Sequence, residues 1–191
     1  AGFCLRALGR LNDARQTIKA GLDLAKENGA WEGAAIGAGS LSQMELTLGN
    51  ITGAMNSGKD SADYADQSQL VQERLAKRTI YAEALHQIGD LEEAKKQFSD
   101  AENLQAERQP SQPFLHSIWG FRYCQLLLAP AERAAWRAFL TRGRLPDVSV
   151  LSSTLEIAAA IAEVKRRATE WTQYRDSRSE ERRVGKECRS R

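Results

Sequence analysis

Four small residues close together, Gly33, Gly37, Gly39 and Ser40, raise the question of a phosphate-binding turn. Such turns work by pointing backbone N–H groups at an anion. This stretch has no Gly-Lys-Ser/Thr ending, its spacing is not that of GxGxxG, and no strand pattern precedes it, so it reads as a helix face kept small for close packing. Only His86 and His116 could serve as imidazole bases or ligands; neither sits in an HExxH pattern, and no CxxC accompanies them. Cys4, Cys124 and Cys188 are odd in number and far apart, which suits buried thiols in a reducing cytoplasmic setting rather than a disulfide framework. Glu92, Glu93 and Glu102 have Lys95 and Lys96 nearby and read as solvated helix surface. Lys165-Arg166-Arg167, flanked by Glu163 and Glu170, reads the same way. No acid–base pair, activated nucleophile or metal-ligand set emerges, so the expectation is a protein without catalysis, cofactor or metal.

The elements that hold these residues announce themselves by repetition. Leu8-Gly9-Arg10, Leu48-Gly49-Asn50 and Ile88-Gly89-Asp90 stand 40 residues apart. Leu11, Ile51 and Leu91 follow in the same register, as do Ala14, Ala54 and Ala94. A fixed period between 20 and 50 residues marks stacked repeats, each unable to bury its apolar face alone. The predicted fold is therefore all-α: a solenoid of antiparallel helix hairpins, each with a helix A, a glycine turn and a helix B.

Helix B of the first repeat carries Leu11, Ala14, Ile18, Leu22 and Ala25 on one face, and that of the third carries Leu91, Ala94, Phe98, Ala101 and Leu104. Asn50 and Asp90 are good N-caps, Asp90 with Glu93 forming a variant capping box, whereas Arg10 caps poorly. In the second repeat Gly53 and Gly58 weaken helix B by about 1 kcal/mol each relative to Ala. The A helices are expected near 31–48, 69–88 and 112–128, with the core positions Leu41, Leu48, Tyr81, Leu85, Ile88 and Phe121. The repeats run over about 1–28, 31–67, 69–106 and 112–141, so the repeat region ends near 146. In the fourth, Ala129-Pro130 replaces the glycine turn. A further helix is expected within 147–176, opening an incomplete repeat, and the polar residues 177–191 read as disordered.

Gly89, Ala94 and Phe98, spaced Gly-x4-Ala-x3-Phe with Pro110 downstream, resemble the second half of a tetratricopeptide repeat. The 40-residue period, longer than the family's 34, resembles the divergent long repeats of bacterial regulatory and signalling proteins. The stretch from Glu107 to Leu128 is similar to segments of large bacterial tetratricopeptide proteins, some of which resemble NACHT-type signalling ATPases. The tail from Ser179 to Arg191 resembles translated vector or sequencing-adapter read-through. A chain opening without Met, inside an expected helix, is read as a fragment of a longer protein.

The resemblance implies a scaffold that binds a protein or peptide along the surface of its A helices. Carried over by register, that groove comprises Gln43 and Thr47, then Thr79, Glu83, His86 and Gln87, then His116, Trp119 and Tyr123. Trp136 and Trp171 are expected in the core or at its rim. A ligand-sensing arm of a signalling ATPase or transcription regulator, and a structural self-association module, are the alternatives. Nucleic acid is not an expected partner. The formal charge is +2, but the last fifteen residues carry six Lys/Arg against three Glu, which leaves −1 for residues 1–176. No apolar run reaches the roughly 18 residues of a membrane span. Overpacking tests the small column: Ala94→Leu should lower the unfolding free energy by about 1–3 kcal/mol. An unchanged denaturation midpoint would contradict the packing role given to Ala94.

Overall fold

Helix ends in this chain fall on a 20-residue beat. The computed structural model describes residues 2–144 and 155–187, with eight helices and no strand among them. They are α1 (Gly2–Ala7), α2 (Leu11–Glu27), α3 (Trp31–Thr47), α4 (Ile51–Ser68), α5 (Val71–Ile88), α6 (Leu91–Arg108), α7 (Ser117–Arg142) and α8 (Leu155–Glu187). The chain divides into two compact units, one ending at Leu115 and the other beginning at His116.

Within the first unit, Gly9, Gly29, Gly49 and Gly89 all take positive φ, between 64° and 94°. At each, two backbone N–H groups fold back onto the helix just ended. Gly89 N–H donates to His86 O and Asp90 N–H to Leu85 O, and the bonds at the other three follow the same spacing. This is the Schellman arrangement, which satisfies the last orphan carbonyls of a helix and reverses the chain. Gln69 occupies the same place in the beat with φ 58°. Its N–H still donates to Asp66 O, but Leu70 N–H turns to the Ser68 hydroxyl. At Gln109 φ is −140°, and the beat stops.

N-termini differ as the sequence leads one to expect. Asn50 Oδ1 accepts from Gly53 N–H at 3.1 Å and Asp90 Oδ1 from Glu93 N–H at 3.3 Å, whereas Arg10 makes no cap and pairs with Asp13.

Consecutive helices from α1 to α6 pack on one another, and α3 also packs on α5. Ala14, Ala54 and Ala94 are fully buried, as the shared column requires. Small residues on α3 allow the crowding. A Cβ on Gly37 would lie 3.2 Å from Leu22 Cβ, and one on Gly39 would lie 3.2 Å from both Ile80 Cδ1 and Lys77 Cδ. Gly58 has an equivalent reason on α4: a Cβ there would stand 3.1 Å from Tyr81 Cα. The residue that weakens α4 intrinsically is therefore what lets α5 approach it. Past α6 a strap crosses back over the helix. Gln105 Nε2 donates to Gln112 O at 3.0 Å and Leu115 N–H donates to Glu102 Oε1 at 3.0 Å. Glu102 is thus half-buried and engaged, not solvated surface.

Several expectations need correction. Leu48 and Ile88 are 40% and 43% exposed; as the last residues before glycine turns they lie at the end of the packed helix length. Phe121, expected in the core, is 70% exposed. The fourth repeat does not turn at Ala129-Pro130, because α7 runs unbroken through Pro130. Proline in a helix interior costs about 3 kcal/mol. Good helix formers on both sides, Leu126 to Leu128 and Ala131 to Arg133, favour continuation. In the second unit α8 packs on α7. Its backbone is helical to Glu187. Residues 145–154 and 188–191, Cys188 among them, lie outside the described residues. Cys4 is exposed and Cys124 half-buried, rather than both being core thiols.

Gln69 gives the test of the beat. Left-handed backbone costs a residue bearing Cβ about 1–2 kcal/mol. Gln69→Gly is expected to raise the unfolding free energy by about 1 kcal/mol, with the helical circular-dichroism signal unchanged. A lower melting temperature in the variant would show that the Gln69 side chain, not its φ, matters at this turn.

Candidate interaction face

Two helical stripes, each with i, i+4, i+7, i+11 spacing, run along neighbouring helices in equal register. On α3 the stripe is Ile36, Ser40, Gln43 and Thr47; 40 residues later on α5 it is Ala76, Ile80, Glu83 and Gln87. The contact of Gly39 with α5 holds these two helices side by side. Thr47 and Gln87 are exposed, Gln43, Glu83 and His86 half-buried, and the Thr47 hydroxyl donates to Gln43 O at 3.0 Å. Side-chain amides, a carboxylate and an imidazole at this spacing can bond to an extended backbone, which offers donors and acceptors alternately.

Of the four other predicted residues, Thr79 turns away from that face, and His116, Trp119 and Tyr123 belong to the second unit. Thr79 is fully buried and its hydroxyl donates to Ala76 O at 2.8 Å, because its place on α5 faces packed helix rather than solvent. Tyr123 is only 6% exposed, with the Arg167 guanidinium 4.4 Å above its ring, so it belongs to the α7–α8 packing of the second unit. Arg167 is accordingly a covered cation and not part of a solvated run, whereas Arg166 reaches both Glu163 and Glu170 on the surface. His116 and Trp119 are half-buried and stacked with centroids 6.1 Å apart, also within the second unit. Trp136 is 62% exposed and meets Phe139 edge-on, and Trp171 is 41% exposed, so neither is a core residue.

Ionic networks beneath the face went unread in the sequence. Glu45, 4% exposed on α3, accepts from Arg15 Nε of α2 at 2.6 Å and from Asn50 Nδ2 at 2.7 Å. One buried carboxylate thus joins α2, α3 and the N-cap of α4. The signal was present: a Glu within an otherwise small and apolar helix face. At the α4–α5 turn, Asp66 accepts from Arg74 Nε and from both terminal nitrogens of Arg78, each at 2.9 Å. Lys77 pairs with Glu73 at 3.0 Å while its stem lies against Gly39. Among the described residues no three His, Cys, Asp or Glu side chains gather as a metal-ligand set, and no helix is long and apolar enough to cross a membrane. Comparison with protein-family models, curated proteins and solved structures returns no match.

Asp66 makes the turn pH-sensitive. Burial raises its pKa, but the hydrogen bonds and charges of Arg78 and Arg74 outweigh burial and hold the carboxyl below its ordinary value. A depressed folded-state pKa stabilises above the unfolded value, and that contribution disappears as pH falls through the folded one. Asp66→Asn should therefore lower the melting temperature at neutral pH and narrow its gap to the parent below about pH 3. A gap of constant size across the acid range would remove the ion cluster from the account.

Proposed function

We propose that this chain is a tetratricopeptide-like helical scaffold that binds an extended protein or peptide segment along the α3–α5 face, without itself catalysing a reaction. The observation that carries the reading is the equal register of polar residues at the C-terminal ends of two packed neighbours: Gln43 with Glu83 and Thr47 with Gln87. Repeats of this kind stack into a superhelix whose A helices line one side, and α3 and α5 are the A helices here. An extended ligand laid across them meets a further pair of polar side chains with each repeat. The composition favours bonds to peptide backbone. The face holds none of the Lys/Arg residues that a clamp for acidic termini would need among Gln43, Thr47, Glu83, His86 and Gln87. The buried Glu45 network supports the reading by holding α3 rigidly, which limits the ordering cost of binding.

A displayed library of random unstructured peptides, selected on the full chain, supplies the test. Selected peptides should lose about tenfold or more in affinity for the Gln43→Ala/Glu83→Ala/Gln87→Ala triple variant, with its helicity and melting temperature close to the parent's. Undiminished binding by that folded variant would move the site to another surface and end this reading of the face.

A further inference from the structure

The turn between α2 and α3 carries Asn28-Gly29, a sequence with its own reactivity. Both residues are exposed, and glycine offers no Cβ to hinder attack by its own nitrogen on the preceding side chain. We propose that Asn28 is a site of spontaneous deamidation whose rate is set by opening of the α2 C-terminal turn.

The step is closed in atoms and involves no redox change. Gly29 N bonds to Asn28 Cγ and gives up its proton to solvent base. The Cγ–Nδ2 bond breaks, and Nδ2 leaves as ammonia after taking a proton. The resulting succinimide takes up one water. Opening at Cγ gives aspartate with the chain unchanged; opening at the Asn28 backbone carbonyl gives isoaspartate, with the chain now running through the side chain.

The folded geometry opposes ring closure in three ways. Asn28 ψ is 1°, which eclipses Gly29 N with the Asn28 nitrogen and swings it away from Cβ. Gly29 N–H is occupied by Lys26 O at 3.1 Å. Asn28 Nδ2 donates to Leu24 O at 2.8 Å, which points the amide back over the helix. Ala30 N–H, bonded to Ala25 O at 2.8 Å, closes the same turn. Reaction therefore requires these bonds to open together, a local event cheaper than global unfolding. The product matters to the fold. It places a new carboxylate beside Glu27 at the negative end of α2 and removes one of the two donors to Leu24 O, leaving the Asn28 N–H.

The test incubates the full chain at mildly alkaline pH in H2-18O, alongside a synthetic peptide spanning Ala25–Trp31, with peptide mapping that separates aspartate from isoaspartate. Of the five asparagines, Asn28 should be modified first, at a rate on the order of tenfold or more below the peptide. Sub-denaturing urea should leave that rate nearly unchanged up to the global transition, because opening one turn exposes little surface. Faster modification at Asn12, Asn50, Asn56 or Asn103 would overturn the site assignment. A native rate equal to the peptide's, or one that climbs with urea as steeply as global unfolding does, would overturn the control by the turn.

Discussion

The close approach of three helices to α3 is the constraint on which the rest of the first unit depends. A helix touched by α2, α4 and α5 needs small side chains wherever its neighbours come nearest. Ala34, Ala35, Ala38, Gly39 and Ser42 meet that demand and are all buried. Dense packing of small residues yields little apolar area per side chain but brings backbones near enough for many weak contacts. It also lets a hydroxyl find a backbone acceptor across the interface, as Ser42 does with Ala54 O at 2.7 Å. Enlarging any of these positions would separate the helices and, with them, the two stripes.

Packing of this sort specifies distance better than direction. Direction comes from the turns, where a left-handed residue every 20 positions reverses the chain, and from Glu45, whose two partners belong to different helices. A buried carboxylate is costly unless fully bonded, so this network favours one arrangement of α2, α3 and α4 over near alternatives. Gly58 completes the frame by letting the α5 backbone come close to α4.

Much of this was legible in the sequence. Gly9, Gly49 and Gly89, the buried alanines and the caps at Asn50 and Asp90 all follow from local chemistry that recurs at a fixed period. The failures share a cause. Thr79 and Tyr123 have residue types suited to a surface, but their exposure is set by neighbours that periodicity alone does not position. Ala129-Pro130 suggests a turn followed by a new helix on proline's own preference for a first helical turn, while the helix-forming residues around it carry α7 through. Glu45 was overlooked because one carboxylate does not show whether its partners lie 30 residues before it. For the proposed binding face, the sequence supplied the register of Gln43, Thr47, Glu83, His86 and Gln87 on α3 and α5. It could not show that Thr79, in the same register set, turns inward.

The strap after α6 bears on how the first unit would carry tension. A helix pulled from its last residue unravels one hydrogen bond at a time, each failing alone. Here the chain leaving at Leu115 is fastened to Glu102, nearly two turns inside α6, and Gln112 to Gln105. Force arriving from beyond Leu115 meets first the bond to Glu102 and then the bond to Gln105. Both must give in turn before the end of α6 can begin to peel, which makes the strap a strain relief for the helices behind it.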